Sequence, residues 1–212
     1  MDYKFIVIEG NIGAGKTSLA RKISNDYNAK LIPEEFAENP FLPKFYKNPD
    51  KYSFPLELTF LADRYQQLKN QIQDRELFRT LVISDYYFTK SLIFAKNTLA
   101  DDEFSLYRRI FNIIYSSLPK PDLYVYLYAD IDKLKKNINN RGRLYEKGIK
   151  AEYLEKIQKA YFEFMRLHEK EYTFLIIDVN KMDFVGNESD YLKIKDFIFN
   201  IQHSKGLNRI IL

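Results

Sequence analysis

The sequence contains no cysteine and only two histidines, His168 and His203, among its 212 residues. Disulfides and thiol catalysis are therefore excluded, and a zinc site is not expected because little besides carboxylates remains as ligands. No apolar run approaches the length that crosses a bilayer, and a strand is predicted almost at Met1, which leaves no room for a signal or transit peptide. A cytoplasmic protein that does not bind membranes is the expectation.

The composition is that of an ordinary globular protein, with 46% hydrophobic and 29% charged residues. The length suits a single domain that spans residues 1–212. The formal net charge of +4 and the pI near 8.9 suit small anionic ligands. No Lys/Arg run is dense enough to predict a nucleic-acid partner.

Residues 10–17 read G-N-I-G-A-G-K-T and fit the phosphate-binding pattern G-x-x-x-x-G-K-[ST] at every position. An apolar segment at 4–8 precedes them and an amphipathic segment at 18–27 follows, so the motif has the strand and helix that it needs. Glycines let backbone N–H groups surround an anion, and the helix start adds partial positive charge. Lys16 is expected to reach the terminal phosphates of ATP, and the Thr17 hydroxyl to ligate Mg²⁺. The candidate ATP-binding residues here are Gly10, Asn11, Ile12, Gly13, Ala14, Gly15, Lys16, Thr17 and Ser18.

Short apolar segments alternate with amphipathic ones along the chain. Strands are predicted at 4–8, 29–33, 80–84, 123–128 and 174–179. Helices are predicted at 18–27, 53–79, 88–97, 103–118, 131–140, 151–172 and 189–202. Short turns are predicted at 39–43, and the tail 208–212 is not assigned. The predicted fold class is α/β, with a five-stranded parallel sheet covered by helices on both faces.

Two acidic residues follow predicted strands and are expected near the phosphates, because ligands of parallel sheets lie at the carboxyl ends of the strands. Asp85 follows an apolar strand in the manner of an acid that holds Mg²⁺ directly or through water; the alternative is a cap of the next helix. Glu34 is placed to accept a proton from an attacking hydroxyl. Glu35 is an alternative base, and adjacent strand residues point to opposite faces.

Arg141 and Arg143 flank Gly142 after a predicted basic helix. Guanidinium groups on a mobile segment, at about 137–149, could close over a triphosphate and stabilise transferring charge. We therefore interpret this segment as an arginine lid. The lysines of the helix are expected to be solvated; they are Lys133, Lys135 and Lys136.

Together these segments resemble the deoxynucleoside kinases, among them the bacterial deoxyadenosine and deoxyguanosine kinases. The resemblance rests on the phosphate-binding loop, E-E-F-A-E-N-P-F at 34–41, the strand that ends at Asp85, and R-G-R at 141–143 with Glu146. It spans about residues 5–178. It implies a P-loop kinase fold, ATP as donor, Mg²⁺ as cofactor and a homodimer as the common assembly.

The resemblance also implies roles for individual side chains. Glu34 falls on the base that takes the proton of the nucleoside 5′-hydroxyl. Tyr46 falls on the tyrosine that holds the sugar 3′-hydroxyl, and Glu146 on its carboxylate partner. Glu57 falls on a glutamine that reads the nucleobase, and Arg64 on an arginine that contacts it.

Two positions depart from the family pattern. Asp85 is followed by Tyr86 and Tyr87, so the arginine expected near the phosphates is missing, and Lys90 or a lid arginine is a candidate replacement. Glu57 stands where glutamine is usual. An ionised carboxylate only accepts hydrogen bonds, which disfavours thymine and favours bases that carry amino groups. The predicted acceptor is a purine 2′-deoxynucleoside, with adenine and guanine not distinguished.

Three other functions are less consistent with the sequence. Asn180-Lys181-Met182-Asp183 matches the guanine-reading N-K-x-D of GTPases, but no D-x-x-G switch lies between it and the phosphate-binding loop. This loop, at about 179–186, is interpreted as bordering the base of the nucleotide. A nucleoside monophosphate kinase of the thymidylate type needs extra cations for its charged acceptor, which the missing arginine disfavours. A regulatory module without catalysis is disfavoured by the retained acids and lid arginines.

Overall fold

The computed structural model describes residues 3–34, 39–73, 81–143, 146 and 148–210. Within them the strands are β1 (Phe5–Gly10), β2 (Lys30–Ile32), β3 (Val82–Ser84), β4 (Leu123–Tyr128), β5 (Thr173–Asp178) and β6 (Gly206–Ile210). The helices are α1 (Lys16–Asp26), α2 (Leu42–Lys47), α3 (Pro49–Gln73), α4 (Thr89–Thr98), α5 (Asp101–Tyr115), α6 (Ile131–Arg141), α7 (Ala151–Leu167) and α8 (Glu188–Phe199). No helix in these ranges is long and apolar enough to cross a membrane.

The strands form one parallel sheet in the order β2-β3-β1-β4-β5-β6. The α/β class is confirmed, but the sheet has six strands and not the predicted five. The sixth, β6, pairs with β5 from Gly206 opposite Thr173. It lies at the edge of the sheet and its residues are only partly buried or exposed. Its sequence, GLNRI, therefore lacks the apolar run by which the other strands were found.

The two faces of the sheet bury different side chains. In β4, Leu123, Val125 and Leu127 pack on one face with α1, α6 and α8. Tyr124 and Tyr126 point to the other face, where α4, α5 and α7 supply a cluster rich in aromatic rings. This alternation follows from the period of two in a strand. Helices therefore cover both faces, as predicted, and leave the carboxyl edge of the sheet for the site.

Several helix boundaries differ from the prediction. α7 ends at Leu167, five residues before the predicted end, and Tyr172 is buried in the turn that leads to β5. Residues 39–43 do not form turns only, because α2 begins at Leu42 with Pro43 in its first turn, where a missing N–H costs little. α3 begins at Pro49 rather than at 53, and its predicted extension to 79 lies beyond Gln73, outside the described residues.

Candidate active site

A cleft of about 770 Å³, which includes space open to solvent, lies where β1, β2 and β3 end. One end is formed by residues of the phosphate-binding loop, and the other by α2, α3, α4 and α7. The charged residues that line it are Lys16, Glu34, Glu57, Arg64, Lys90, Arg141, Arg143 and Glu146. The aromatic residues that line it are Phe45, Tyr46, Phe60, Phe94 and Tyr153. The structure thus brings Glu34, Glu57, Glu146 and the predicted arginines into one cleft. Asp85 does not line the cleft itself but contacts Thr17, which does.

The phosphate-binding loop is held in its shape by close contacts. Gly13 and Gly15 have φ angles of 85° and 90°, which side chains rarely adopt. A Cβ on Gly15 would lie 2.6 Å from Cζ of Phe184, and one on Gly13 would lie 2.7 Å from the Leu134 carbonyl oxygen. The loop is therefore packed on α6 on one side and on the loop after β5 on the other.

Lys16 is half-buried at the start of α1, where its Nζ donates a hydrogen bond to the Asn11 carbonyl oxygen at 2.9 Å. Burial and the nearby charge of Lys90 lower the pKa of Lys16 to about 8. A bound triphosphate would place negative charge beside this ammonium group. The arrangement therefore favours an anionic ligand at the loop.

Asp85 connects the phosphate-binding loop to the segment after β2. The Thr17 hydroxyl donates to Oδ2 of Asp85, and the backbone N–H of Glu34 donates to Oδ1 at 2.5 Å. The helix-cap alternative does not describe this contact, since α4 begins only at Thr89 and its N-cap is Phe88 without a side-chain cap. A hydroxyl oxygen and a carboxylate oxygen in contact at this point form a donor set that suits Mg²⁺. No cluster of three or more acidic or histidine side chains that could hold a metal occurs in the described ranges, so other ligands would come from phosphates and water.

Glu34 lies in the middle of the cleft between two cations. Arg64 donates to its Oε1 from Nη2 at 2.8 Å and from Nε at 3.2 Å, while Lys90 Nζ pairs with Oε2. Burial alone would raise the pKa of Glu34, but the charges of Lys90 and Arg64 outweigh it and lower the pKa to about 2. Glu34 is therefore ionised at neutral pH. Glu35, the alternative base, lies outside the described residues.

Arg64 lies close to Glu34, and its guanidinium stacks on the Phe60 ring at 4.8 Å. Its Nη1 donates to the Ser91 hydroxyl at 2.8 Å, which orients the planar group. Seven residues earlier on α3, Glu57 lines the same cleft, because residues seven apart lie on one face of a helix. The base contact assigned to Arg64 remains a prediction.

Tyr86, which stands in place of the expected arginine, is buried, and its hydroxyl donates to Gln67 Oε1 at 2.6 Å. A cation beside Glu34, in addition to Arg64, comes instead from Lys90, the second residue of α4. The backbone N–H of Tyr87 donates to Oε1 of Glu9 at 2.8 Å. Glu9 was missed by the sequence analysis, although a charged residue inside an apolar strand is a signal of a buried polar contact.

Burial raises the pKa of Glu9, which also accepts a hydrogen bond from the Tyr161 hydroxyl at 2.8 Å. Glu9 thereby ties the segment after β3 to α7, directly beneath the phosphate-binding loop. Glu9 is not among the residues that line the cleft. We therefore assign it a positioning role, in which it holds the segment after β3 against α7.

The predicted lid arginines contact one carboxylate. Arg141 donates to Oε2 of Glu146 from Nη2 at 2.5 Å and from Nε at 3.1 Å, and Arg143 pairs with Oε1 at 3.4 Å. α6 extends through Arg141, and Gly142 ends it in a left-handed conformation. Part of the segment predicted as a lid, 137–141, is therefore helix. Leu144, Tyr145 and Lys147 lie outside the described residues.

The same helix contacts two loops of the site. Lys133, which was expected to be solvated, donates to the carbonyl oxygens of Val179, Asn180 at 3.0 Å and Met182 at 2.7 Å. The expectation of a solvated side chain is therefore wrong for Lys133. Lys135 and Lys136 are exposed, as expected. Asn137, one turn further, donates from Nδ2 to the Gly13 carbonyl oxygen at 2.8 Å. The spacing of four residues puts Lys133 and Asn137 on one face of α6, but their partners are distant in sequence.

The polar side chains of the N-K-x-D segment make hydrogen bonds within the protein. Asn180 Oδ1 accepts from the backbone N–H of Asp130 at 2.8 Å, and Asp183 Oδ1 accepts from the N–H of Gly186 at 3.0 Å. These contacts engage the two side chains with which a GTPase motif would read guanine. The GTPase alternative therefore gains no support from the structure.

Comparisons with known proteins agree with this geometry. The family model described as deoxynucleoside kinase matches residues 6–202. The chain is 38% identical over 193 residues to a deoxyguanosine kinase of Bacillus subtilis (strain 168), covering 90% of this chain and 93% of that protein. It is 33% identical over 190 residues to a deoxyadenosine kinase of Dictyostelium discoideum, covering 86% of this chain and 74% of that protein.

Among solved structures, the fold matches a deoxyadenosine kinase from M. mycoides, determined with the products dCMP and dCDP bound, with a TM-score of 0.80. The sequence identity is 26%, and the match covers 93% of this chain and all of that one. The family model, the Bacillus subtilis relative and the solved structure thus each match this chain over nearly its full length. The chain belongs to the deoxynucleoside kinase family, with its P-loop kinase fold and its phosphotransferase activity.

Proposed function

We propose that this kinase transfers the γ-phosphoryl group of ATP to the 5′-hydroxyl of a purine 2′-deoxynucleoside. The observation that carries the proposal is Glu34, an ionised carboxylate between the phosphate-binding loop and a pocket with aromatic walls. The pocket is closed at its far end by a second carboxyl group, Glu57. One cleft therefore offers a place for the triphosphate, the attacking hydroxyl and a nucleobase in line.

At the donor end, the loop N–H groups and Lys16 bind the phosphates, and Arg141 and Arg143 approach them from the opposite wall. Thr17 and Asp85 would hold Mg²⁺, which would neutralise negative charge on the phosphates during transfer. In this proposal the two arginines exchange part of their contact with Glu146 for contact with the transferring group.

At the acceptor end, Glu34 receives the proton of the 5′-hydroxyl as its oxygen attacks phosphorus. A carboxylate with a pKa of about 2 is a weak base. Phosphoryl transfer passes through a loose transition state with little bond formation to the nucleophile, so orientation of the hydroxyl counts for more than basicity. Lys90 and Arg64 keep Glu34 ionised and in place, and Lys90 supplies a cation where the family arginine is missing.

The sugar and base fill the rest of the cleft. Tyr46 and Glu146 line it on the side expected for the 3′-hydroxyl, and the aromatic walls suit a planar base. Similarity to a deoxyguanosine kinase and to a deoxyadenosine kinase supports a purine. Because the M. mycoides deoxyadenosine kinase was determined with dCMP, deoxycytidine belongs in any substrate test.

A homodimer is part of the proposal, since exposed apolar side chains occur on α5. Leu106 is 48% exposed and Ile113 is 77% exposed, seven residues apart on one helix face. Light scattering of the purified protein tests this, and the Ile113→Glu variant should be a monomer if α5 lies in the interface. A wild-type monomer at assay concentration would contradict it.

The deciding experiment is a phosphoryl-transfer screen with Mg·ATP against the deoxynucleosides, the ribonucleosides and the deoxynucleoside monophosphates. We expect turnover of deoxyadenosine or deoxyguanosine, with the 5′-monophosphate as product. Turnover of monophosphates alone would refute the nucleoside kinase assignment and the role of Glu34. Preferred turnover of deoxycytidine or thymidine would retain the class and refute the purine assignment.

A further inference from the structure

Glu57 presents one unpartnered oxygen to the base end of the cleft. The side chain is on α3, and the residue is only 2% exposed. Its Oε1 accepts a hydrogen bond from the Thr98 hydroxyl at 2.9 Å, whereas Oε2 is buried without a hydrogen-bond partner within the described structure. Because a buried polar atom without a partner is costly, Oε2 is the atom that a bound base would contact.

The surroundings of Glu57 differ from those of Glu34, although both carboxyl groups line one cleft. Glu34 contacts two cations, whereas Glu57 accepts a hydrogen bond from the Thr98 hydroxyl and lines the cleft together with aromatic residues. Burial therefore raises the pKa of Glu57 to about 7, while Arg64, Thr98 and Lys90 oppose the rise without cancelling it. The titratable and charged groups of the neighbouring elements are Arg64 on α3, Lys90 on α4, Tyr107 on α5, Tyr153 on α7, Tyr46 on α2, and Arg141, Arg143 and Glu146 at the lid.

Oε2 has opposite hydrogen-bonding character in the two protonation states. The neutral acid carries a proton there and donates, whereas the carboxylate only accepts. Adenine presents a ring nitrogen that accepts beside one amino group, and guanine presents the adjacent donors N1–H and N2–H. The acid thus matches adenine, and the carboxylate matches guanine while its charge repels the ring-nitrogen lone pair of adenine.

We propose that Glu57 sets the preferred purine through its own protonation state, the neutral acid selecting deoxyadenosine and the carboxylate selecting deoxyguanosine. This rests on the proposed function, because it concerns the acceptor of that reaction. A glutamine in place of Glu57 would carry both a donor and an acceptor at every pH, so it could not act in this way.

The test is a competition assay with equimolar deoxyadenosine and deoxyguanosine at saturating Mg·ATP, stopped at low conversion. The ratio of dAMP to dGMP is measured by chromatography from about pH 5.5 to about pH 8.5, across the pKa expected for Glu57. A ratio cancels effects common to both substrates, such as titration of ATP or loss of enzyme. As Glu57 ionises, guanine gains a hydrogen bond to a charged partner and adenine becomes mismatched. The ratio of dAMP to dGMP should therefore fall by about tenfold or more with rising pH.

Two variants separate this reading from a structural role. Glu57→Gln should give a ratio independent of pH and close to the acidic limit of the wild type, since its amide keeps a donor. Thr98→Val removes a hydrogen bond that stabilises the carboxylate and should move the midpoint of the wild-type curve to higher pH. Thr98→Val keeps the test available if Glu57→Gln does not fold.

The inference fails if both purines are phosphorylated at a ratio that does not change with pH. It also fails if one purine alone is used throughout, or if Glu57→Gln retains the pH dependence of the wild type. Phosphorylation of neither purine at any pH is a different result, and refutes the proposed function instead.

Discussion

Glu34→Gln is the substitution that tests the central charge arrangement most directly. Glutamine has nearly the same shape, but it carries no charge opposite Arg64 and Lys90, whose side chains are 5% and 7% exposed. Both cations would then be buried beside a neutral amide. Removal of one partner from a buried ion pair costs about 3 to 5 kcal/mol.

The pKa of Glu34 leads to a similar magnitude. The gap between the usual value of 4.5 and about 2 corresponds to about 3 kcal/mol of stability. Because the folded-state pKa is the lower one, this stabilisation is complete above about pH 4.5 and is lost as the pH falls towards about 2. The difference in unfolding free energy between wild type and Glu34→Gln should follow the same course.

The assays are urea unfolding across this pH range and steady-state turnover at neutral pH. We expect kcat to fall by about 10²-fold to 10⁴-fold, the usual contribution of a proton acceptor. ATP binding, measured by calorimetry, should persist because the phosphate-binding loop is unchanged. The double variant Glu34→Gln/Lys90→Met removes one unpaired cation, so it should recover much of the lost stability without recovering turnover.

Two results would refute the reasoning. Wild-type stability in Glu34→Gln would show that the two cations do not depend on this carboxylate. Turnover near the wild-type rate would show that Glu34 is not the proton acceptor, and Glu35 would become the next candidate.

Two further substitutions test the packing of the phosphate-binding loop. Gly15→Ala places a Cβ at a φ of 90° and 2.6 Å from Phe184. We therefore expect a loss of about 1 to 3 kcal/mol in stability, measured by thermal unfolding, and a raised KM for ATP. The double variant Gly15→Ala/Phe184→Ala should relieve the contact but not the backbone strain, so full recovery would contradict the φ argument. Lys133→Met removes three hydrogen bonds to the loop after β5 and should lower stability by about 1 to 3 kcal/mol. The control Lys136→Met, at an exposed position of the same helix, should change stability by less than about 0.5 kcal/mol. Equal effects of the two substitutions would show that the Lys133 contacts are not made.

The parts of the fold that were predicted correctly are those with contiguous signals. The apolar strands β1 and β4 and the glycine-rich loop between β1 and α1 depend on neighbouring residues, so their pattern is visible in the chain. The edge strand β6 was missed because an edge strand buries little and its pairing partner, β5, lies about thirty residues earlier. The end of α7 was missed because apolar residues continue into the turn, where Tyr172 is buried by tertiary contacts.

The site shows the same division. Glu34, Asp85 and Arg141 can be singled out in the sequence because strand ends and a basic loop have recognisable positions. Lys90 and Glu34, which form an ion pair, are 56 positions apart in the sequence. Lys133 is 46 to 49 positions from the three carbonyl oxygens to which it donates. Nothing local distinguishes Lys133 from the exposed Lys135 and Lys136, because all three are lysines on one amphipathic helix.

The α/β class, the phosphate-binding loop and the acids and arginines of the candidate site could be predicted from the amino-acid sequence, because those features depend on short-range pattern and residue chemistry. The charge state of each acid could not, because it depends on the folded structure. Glu34 and Glu57 are the same residue type in one cleft, yet two cations lower the pKa of Glu34 and burial raises that of Glu57. Such differences arise from the few ångströms around each carboxyl group, which are assembled from segments distant in the chain.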